Sequence, residues 1–383
     1  PMKSLAGQVL GYTDIDNVGI EGMELAKDDL LKGEPGVMAS QVDAKGKCLA
    51  ALGTVEKLPE NGADMALTID ADYQSILEEE LALAVAKFKA ESGIAIVTDP
   101  RTGEVLAMAN VPLYDPNAFS KVEPEVRRNR AVTDLFEPGS TFKLVALAGA
   151  LEEGLFRPED RIFCENGSLN VAGDEIRDTH PNGWLTVGEV IEQSSNIGTI
   201  KIGRALGPGR LFRYLRLFGF GSNTCSGFPG EVAGELKHPS KWSKRSLETI
   251  SIGQEIGVTA LQMVAAYGAI ANGGQLMSPR IVKRAIHDDG AVSDMEAMAI
   301  RQVVSPAAAR RVTEVLEGVV RNGTGSNAQI PGYRVAGKTG TAQRAAKGKP
   351  GYDPNRYVSS FVGFLPADQP ELLCLVVVDS PQE

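Results

Sequence analysis

The chain contains one S-x-x-K, Ser140-Thr141-Phe142-Lys143, and one K-T-G, Lys338-Thr339-Gly340. A serine and a lysine three residues apart at a helix start lie on one face, about one turn apart. That spacing sets an amine against a hydroxyl, which is what making a nucleophile from serine without histidine requires. The flanking residues predict where the pair sits. Glu137-Pro138-Gly139 precedes the serine, Leu144, Leu147, Ala148 and Leu151 follow as an apolar face, and Gly154 is suited to closing the helix. At a helix N-terminus, unpaired N–H groups and the positive dipole end would favour an alkoxide at Ser140 and an oxyanion beside it. Lys143 can act as a base only when neutral, so burial and nearby cations must depress its pKa. Taken alone, an S-x-x-K is in most cases no more than a serine N-cap and a surface lysine.

Two S-x-N triplets are candidates for a second hydroxyl. Ser168-Leu169-Asn170 lies in a Gly- and Asn-containing stretch that predicts a turn or hairpin, so its serine is assigned a turn role. Ser194-Ser195-Asn196 falls between a capped helix, Val187 to Gln193, and another, Ile197 to Leu206; such a corner can present a hydroxyl and an amide to a cleft. The K-T-G follows Tyr333 to Gly337, which reads as a strand. Gly337 and Gly340 remove side chains where another backbone could approach, so a peptide could pair with this strand edge. Lys338 offers charge to a substrate carboxylate, and Thr339 and Thr341 offer hydroxyl donors. The runs Phe218 to Ser222 and Asn322 to Ser326 lack the G-K-[ST] of a nucleotide loop and are read as plain loops.

These groups must be positioned by a body of 383 residues, enough for one large domain and a smaller one. A net charge of −10 argues against a nucleic-acid groove. No apolar run reaches the ~18 residues of a membrane span. The four cysteines form no C-x-x-C and the three histidines no H-x-x-x-H, so neither a metal site nor a cofactor is expected. The chain opens at Pro1 without an initiator methionine, which suggests a fragment whose signal or anchor lies upstream.

Residues 1–64 read as an irregular β-containing module with a turn at Asp43 to Gly46, and Pro59 to Gly62 marks a boundary. A strand over Ala66 to Ile69 and a helix over Ala71 to Lys89 follow. Ile94 to Val97 and Val105 to Met108 flank Asp99 to Gly103 as a hairpin. From Ser140 to Asn272 the pattern is mostly helical, with capping boxes at Thr186/Glu189 and Thr259/Gln262. Strands return at Tyr333 to Gln343, Tyr357 to Leu365 and Leu372 to Asp379, separated by loops at Lys347 to Pro354 and Pro366 to Pro370. Strands at both ends with helices between predict an α+β fold.

With its motifs in the order S-x-x-K, S-x-N, K-T-G, the chain resembles a class B penicillin-binding protein, and is most similar to the division-specific (septal) branch in Asn129 to Asp134 before Glu137 to Lys143. Gly19-Ile20-Glu21 with Leu31 to Gly33, Leu67 to Asp70 with Gln74, and Ala336 to Ala342 extend the resemblance nearly end to end. It implies a serine β-lactamase/D,D-peptidase-like transpeptidase domain over 65–383, with a central antiparallel sheet flanked by helices, a helical subdomain, and a partial N-terminal pedestal over 1–64. It implies Ser140 as acyl-enzyme nucleophile, Lys143 as its base, Ser194 as proton shuttle and Lys338 as its electrostatic support. It further implies Asn196, Thr339, Gly340 and Thr341 as substrate-binding, with the oxyanion hole formed by the N–H groups of Ser140 and Thr341. The implied substrates are peptidoglycan stem peptides, a D-Ala-D-Ala donor and an amine acceptor, with β-lactams as donor mimics. Implied partners are a membrane glycosyltransferase and other division proteins, on the periplasmic side of the cytoplasmic membrane. Two rival readings share the acylation apparatus: a β-lactamase or D,D-carboxypeptidase, and a non-catalytic β-lactam sensor or division scaffold. The sequence departs from the family pattern at Glu255, where a second glycine is common, at Ala260, where proline is common, and in stopping before a C-terminal helix.

Overall fold

The computed structural model of the chain describes residues 3–42, 48–345 and 351–382. Its largest sheet has five strands: Ser92–Thr98 (β1), Val105–Val111 (β2), Ala336–Ala345 (β3), Tyr352–Leu365 (β4) and Leu372–Asp379 (β5). They lie in the order β3-β4-β5-β1-β2, each neighbouring pair antiparallel. The sheet thus joins an early and a late stretch of the chain where β5 meets β1, with Val376 opposite Ala95. Strands early and late with helices between do build an α+β fold.

Successive side chains of a strand face opposite ways, and the two faces of this sheet are both covered. Ile94, Ile96 and Met108 enter the large core, whereas Ala95, Ala109 and Val111 pack with Leu81 of the helix Ala71–Lys87 (α1). Asp70 starts α1 by accepting from the N–H groups of Asp72 and Tyr73 at 3.0 and 3.1 Å. The large core is shared by Lys143–Glu152 (α2), Val187–Glu192 (α3), Asn196–Leu217 (α4), Ala260–Ala271 (α5) and Pro306–Asn322 (α6). Every residue of α2 from Lys143 to Leu151 is buried, as a helix apolar on all sides must be. Both expected capping boxes form, at the starts of α3 and α5. Ala260 occupies the first position of α5, where proline is also tolerated because that N–H has no helical partner.

The stretch from Ser140 to Asn272 is less helical than its apolar spacing predicts. Arg161–Phe163 pairs with Trp184–Thr186, and Ser168–Val171 with Asp174–Arg177. The early strand runs over Asp64–Leu67 and pairs with Val282–Ile286. β4 begins at Tyr352 because Tyr352 already pairs with Ala345, so the end of the loop expected over 347–354 is strand. Residues 346–350 of that loop, and the turn expected over 43–46, lie outside the described residues.

The first residues are stitched to the larger body. Ala6, Val9 and Met23 enter the main core, and Gln8 Nε2 donates to the carbonyls of Pro112 and Val126 at 3.0 and 3.2 Å. Tyr12 stacks on Phe119 with ring centroids 4.0 Å apart and accepts from Arg127 at 2.6 Å. Among the described residues, Val37–Val42 and Cys48–Lys57 pair only with each other.

Candidate active site

Ser140 sits in a 3-10 turn, Gly139–Phe142, that runs directly into α2. The turn is pinned from several sides. Thr141 Oγ1 donates to Pro138 O at 2.7 Å, and the buried Tyr267 hydroxyl of α5 donates to Thr141 O at 2.7 Å. Phe142 packs edge-on to Phe220 at 4.8 Å. Gly139 takes a left-handed φ of 53° and donates to Gly253 O at 3.1 Å. A Cβ on Gly253 would stand 2.1 Å from Gly139 O, so both positions need glycine for the chains to meet. The partly exposed Ser140 hydroxyl makes no hydrogen bond among the described residues.

Lys143, one turn on, is fully buried. Its Nζ donates to Ser194 O at 2.6 Å, Asn196 Oδ1 at 2.9 Å and Ser194 Oγ at 3.3 Å. Burial, and then the Lys338 ammonium, hold its pKa well below the ordinary lysine value, while Asp178 opposes them. Ser194 itself adopts φ of 57°, a conformation costing a non-glycine residue about 1 kcal/mol or more. The corner between α3 and α4 therefore holds this hydroxyl at a cost, aimed between two lysines.

The second lysine is Lys338 of β3, 1% exposed, whose Nζ donates to Ser194 Oγ at 3.0 Å and Thr339 O at 3.2 Å. Burial pushes its pKa down to about 7, so this amine titrates near neutral pH and is not a permanent cation. Two ammonium groups on one hydroxyl would repel, which favours at least one neutral amine in the trio Lys143, Ser194 and Lys338.

β3 is the outermost strand of the sheet, and among the described residues no strand pairs with its far edge. Gly340 is required by the chain itself: a Cβ there would lie 2.6 Å from Ser360 Oγ and 2.9 Å from both Pro138 O and Thr141 Cγ2. The close backbone approach expected at this glycine is the Ser140 turn crossing the strand. At Gly337 the obstacle is the Phe361 ring, 2.6 Å away. A cleft of about 620 Å³ opens where these elements meet, lined by Ser140, Ser194, Asn196, Thr339, Gly340 and Thr341 among others. All the residues singled out from the three motifs thus converge, six on the cleft wall and two lysines bonded behind it. The arrangement can remove a proton from one hydroxyl, relay it through a second, and offer backbone N–H groups and threonine hydroxyls to an anionic group.

Ser168 and Asn170 lie in the 168–177 hairpin, where Gly173 N–H donates to Asn170 Oδ1 at 3.1 Å; the hairpin reading holds, but Ser168 is a strand residue opposite Arg177 and not a turn residue. Other contributors went unread. Asp178 caps α4, accepting from Asn196 N–H at 2.6 Å and Ser195 Oγ at 2.6 Å. Thr324, in the glycine-bearing run read as a plain loop, lies 2.8 Å from Thr339 Oγ1 and 3.5 Å from Lys338 Nζ. Neither stands near a motif in sequence. Glu255, standing where glycine is common, has φ of 58°; its N–H donates to Glu137 at 2.9 Å and its carboxylate accepts from Ser246 and Thr249 at 2.7 and 3.0 Å.

This sheet and this cleft define a class. The penicillin binding protein transpeptidase domain matches residues 93–383 and the penicillin-binding protein dimerisation domain matches residues 2–67, so the chain belongs to the penicillin-binding protein transpeptidase family. It is 40% identical, over its whole length and 60% of the relative's, to stage V sporulation protein D of Bacillus subtilis. It is 36% identical, over its whole length and 64% of the relative's, to a protein of Neisseria gonorrhoeae named probable peptidoglycan D,D-transpeptidase. The chain therefore spans somewhat under two thirds of the length of these curated relatives. Its fold superposes with a TM-score of 0.90 on penicillin binding protein 3 of Mycobacterium tuberculosis complexed with ampicillin, at 34% identity over 99% of this chain and 82% of that one.

Proposed function

We propose that this chain carries a peptidoglycan D,D-transpeptidase site working through a serine acyl-enzyme. The observation that carries the reading is the free Ser140 hydroxyl on a cleft whose rear wall holds Lys143, Ser194 and Lys338 in one hydrogen-bonded trio. Ser140 Oγ attacks the carbonyl between two D-alanines while its proton passes to Lys143. The developing oxyanion accepts from the N–H groups of Ser140 and Thr341. Ser194, backed by Lys338, delivers a proton to the departing D-Ala amine. Asn196 holds the substrate amide, and Thr339 and Thr341 hold the terminal carboxylate, with the donor backbone lying along β3 beside Gly340. An amine from a neighbouring strand then displaces Ser140 and forms the cross-link. β-Lactams enter as donor mimics; the likeness to a relative that holds ampicillin supports this.

The division of the chain into a pedestal over 1–64 and a catalytic domain over 65–383 belongs to the same proposal, as do the septal role and a partner glycosyltransferase. Among the described residues no helix is long and apolar enough to cross a membrane; the proposed location is the outer face of the cytoplasmic membrane. The likeness to a relative named as a sporulation protein supports a second variant of this role, in sporulation.

The test is mass spectrometry after incubation with a penicillin. One drug mass should appear on the peptide spanning Ser140 and disappear in Ser140→Ala. Labelling that survives this substitution overturns the assignment, and rapid release of hydrolysed drug would favour the hydrolytic reading instead.

A further inference from the structure

The corner that carries Ser194 is held from outside its motif. Asp178, just past the strand Asp174–Arg177, accepts from the N–H groups of Asn196 and Ile197 through Oδ1, at 2.6 and 3.1 Å. Its Oδ2 accepts from the Ser195 hydroxyl at 2.6 Å and from Asn182 Nδ2 at 3.3 Å. Those N–H groups open the first helical segment of α4, which runs from Asn196 to a kink at Gly207, and there the first-turn donors lack helical partners and the dipole favours an anion. Lys143 grips the same corner from the opposite side, through Ser194 O and Asn196 Oδ1. A carboxylate and an amine therefore clamp between them a serine whose left-handed φ needs its surroundings to enforce it.

We propose that Asp178 is a positioning residue that locks the Ser194-Ser195-Asn196 corner and supplies a negative charge to Lys143. The proposal rests on Lys143 being the base for Ser140. The charges acting on Lys143 are Lys338 of β3, which disfavours a second cation, and Asp178, which favours one. Ser194 and Asn196 meet it as neutral groups. On Asp178's other side the Cys164 thiol is kept protonated, chiefly by burial, and Lys201 is paired with Glu165. When Ser140 gives its proton to Lys143, the ammonium formed is repelled by a charged Lys338 and stabilised by Asp178. Without the carboxylate, Lys143 would be neutral at lower pH but a weaker acceptor for that proton.

Asp178→Asn removes the charge while its amide oxygen still accepts from the helix N–H groups. Its Nδ2 cannot accept from Ser195 and Asn182 as Oδ2 does, so the rate alone does not isolate the charge and the pH midpoint is the deciding readout. The acylation rate with a fluorescent penicillin is measured from about pH 5 to about pH 10 for both proteins. The rising limb in the variant should move to lower pH by about half a unit to one unit, and its plateau should fall several-fold. A merely structural role would lower the rate by one factor at every pH and leave the midpoint in place, and that result overturns the proposal. So does an Asp178→Asn chain without a cooperative melting transition, since a tuning charge is not required for the fold. If wild type takes no label at Ser140, the transpeptidase reading itself fails; a labelled wild type with an unmoved variant midpoint sinks only the role of Asp178.

Discussion

Adding a single methyl group at Gly340 should disable the site from behind. The glycine does not have a left-handed φ, so the backbone itself tolerates alanine. What it lacks is room. The new Cβ would lie 2.6 Å from Ser360 Oγ, which can rotate away, but also 2.9 Å from Pro138 O, a backbone atom. Relieving the second contact requires the Ser140 turn and β3 to part by about half an ångström. Overpacking of this kind costs about 1–3 kcal/mol, which lowers the melting temperature by several degrees. A displacement of about 1 Å at a reacting centre costs on the order of a hundredfold in rate, so half of that should slow acylation by about tenfold. Stopped-flow acylation with a fluorescent penicillin, run beside differential scanning calorimetry, reads both quantities on Gly340→Ala. A variant that acylates at the wild-type rate refutes the reasoning whatever its melting temperature, because the turn would then have moved without consequence for Ser140.

Lys143→Arg should cut acylation by at least about a hundredfold, since arginine keeps its proton; a rate near wild type in the same stopped-flow assay assigns the base elsewhere. Lys338 has a folded pKa of about 7 against an ordinary 10.5, so the unfolded chain binds more protons between those values and stability should climb as pH rises through that window. Lys338→Met should therefore flatten the rise of melting temperature with pH, raise stability at neutral pH and still lose acylation; parallel melting curves for variant and wild type would contradict the buried, depressed lysine. Thr324→Val removes the 2.8 Å contact to Thr339 Oγ1 with little change in volume, and should slow acylation several-fold at an unchanged melting temperature. An equal acylation rate would show that Thr339 orients itself unaided.

Much of the cleft wall was legible in the chain because its pattern is local. Ser140 and Lys143 are one turn apart whatever surrounds them, the Thr186 and Thr259 boxes cap α3 and α5 from residues three positions away, and the K-T-G lies in a strand whose composition announces it. The α+β class followed from strands at both ends, since β5 needed a partner and β1 could supply one. What the sequence could not determine is everything that depends on distant segments meeting. Asp178 precedes Asn196 by eighteen positions and reads as an ordinary loop acid; only the docking of the 168–177 hairpin against the start of α4 turns it into a cap. Thr324 is invisible until α6 delivers it beside β3. Gly340 could be recognised as a place of close approach, but not what approaches, because the Ser140 turn lies 200 positions earlier. The titration of Lys338 is the plainest instance: a lysine's charge in a strand is a property of its composition, but its burial to 1% exposure beside Ser194 is a property of the packed core, and the desolvation that burial imposes is what brings its pKa to neutrality.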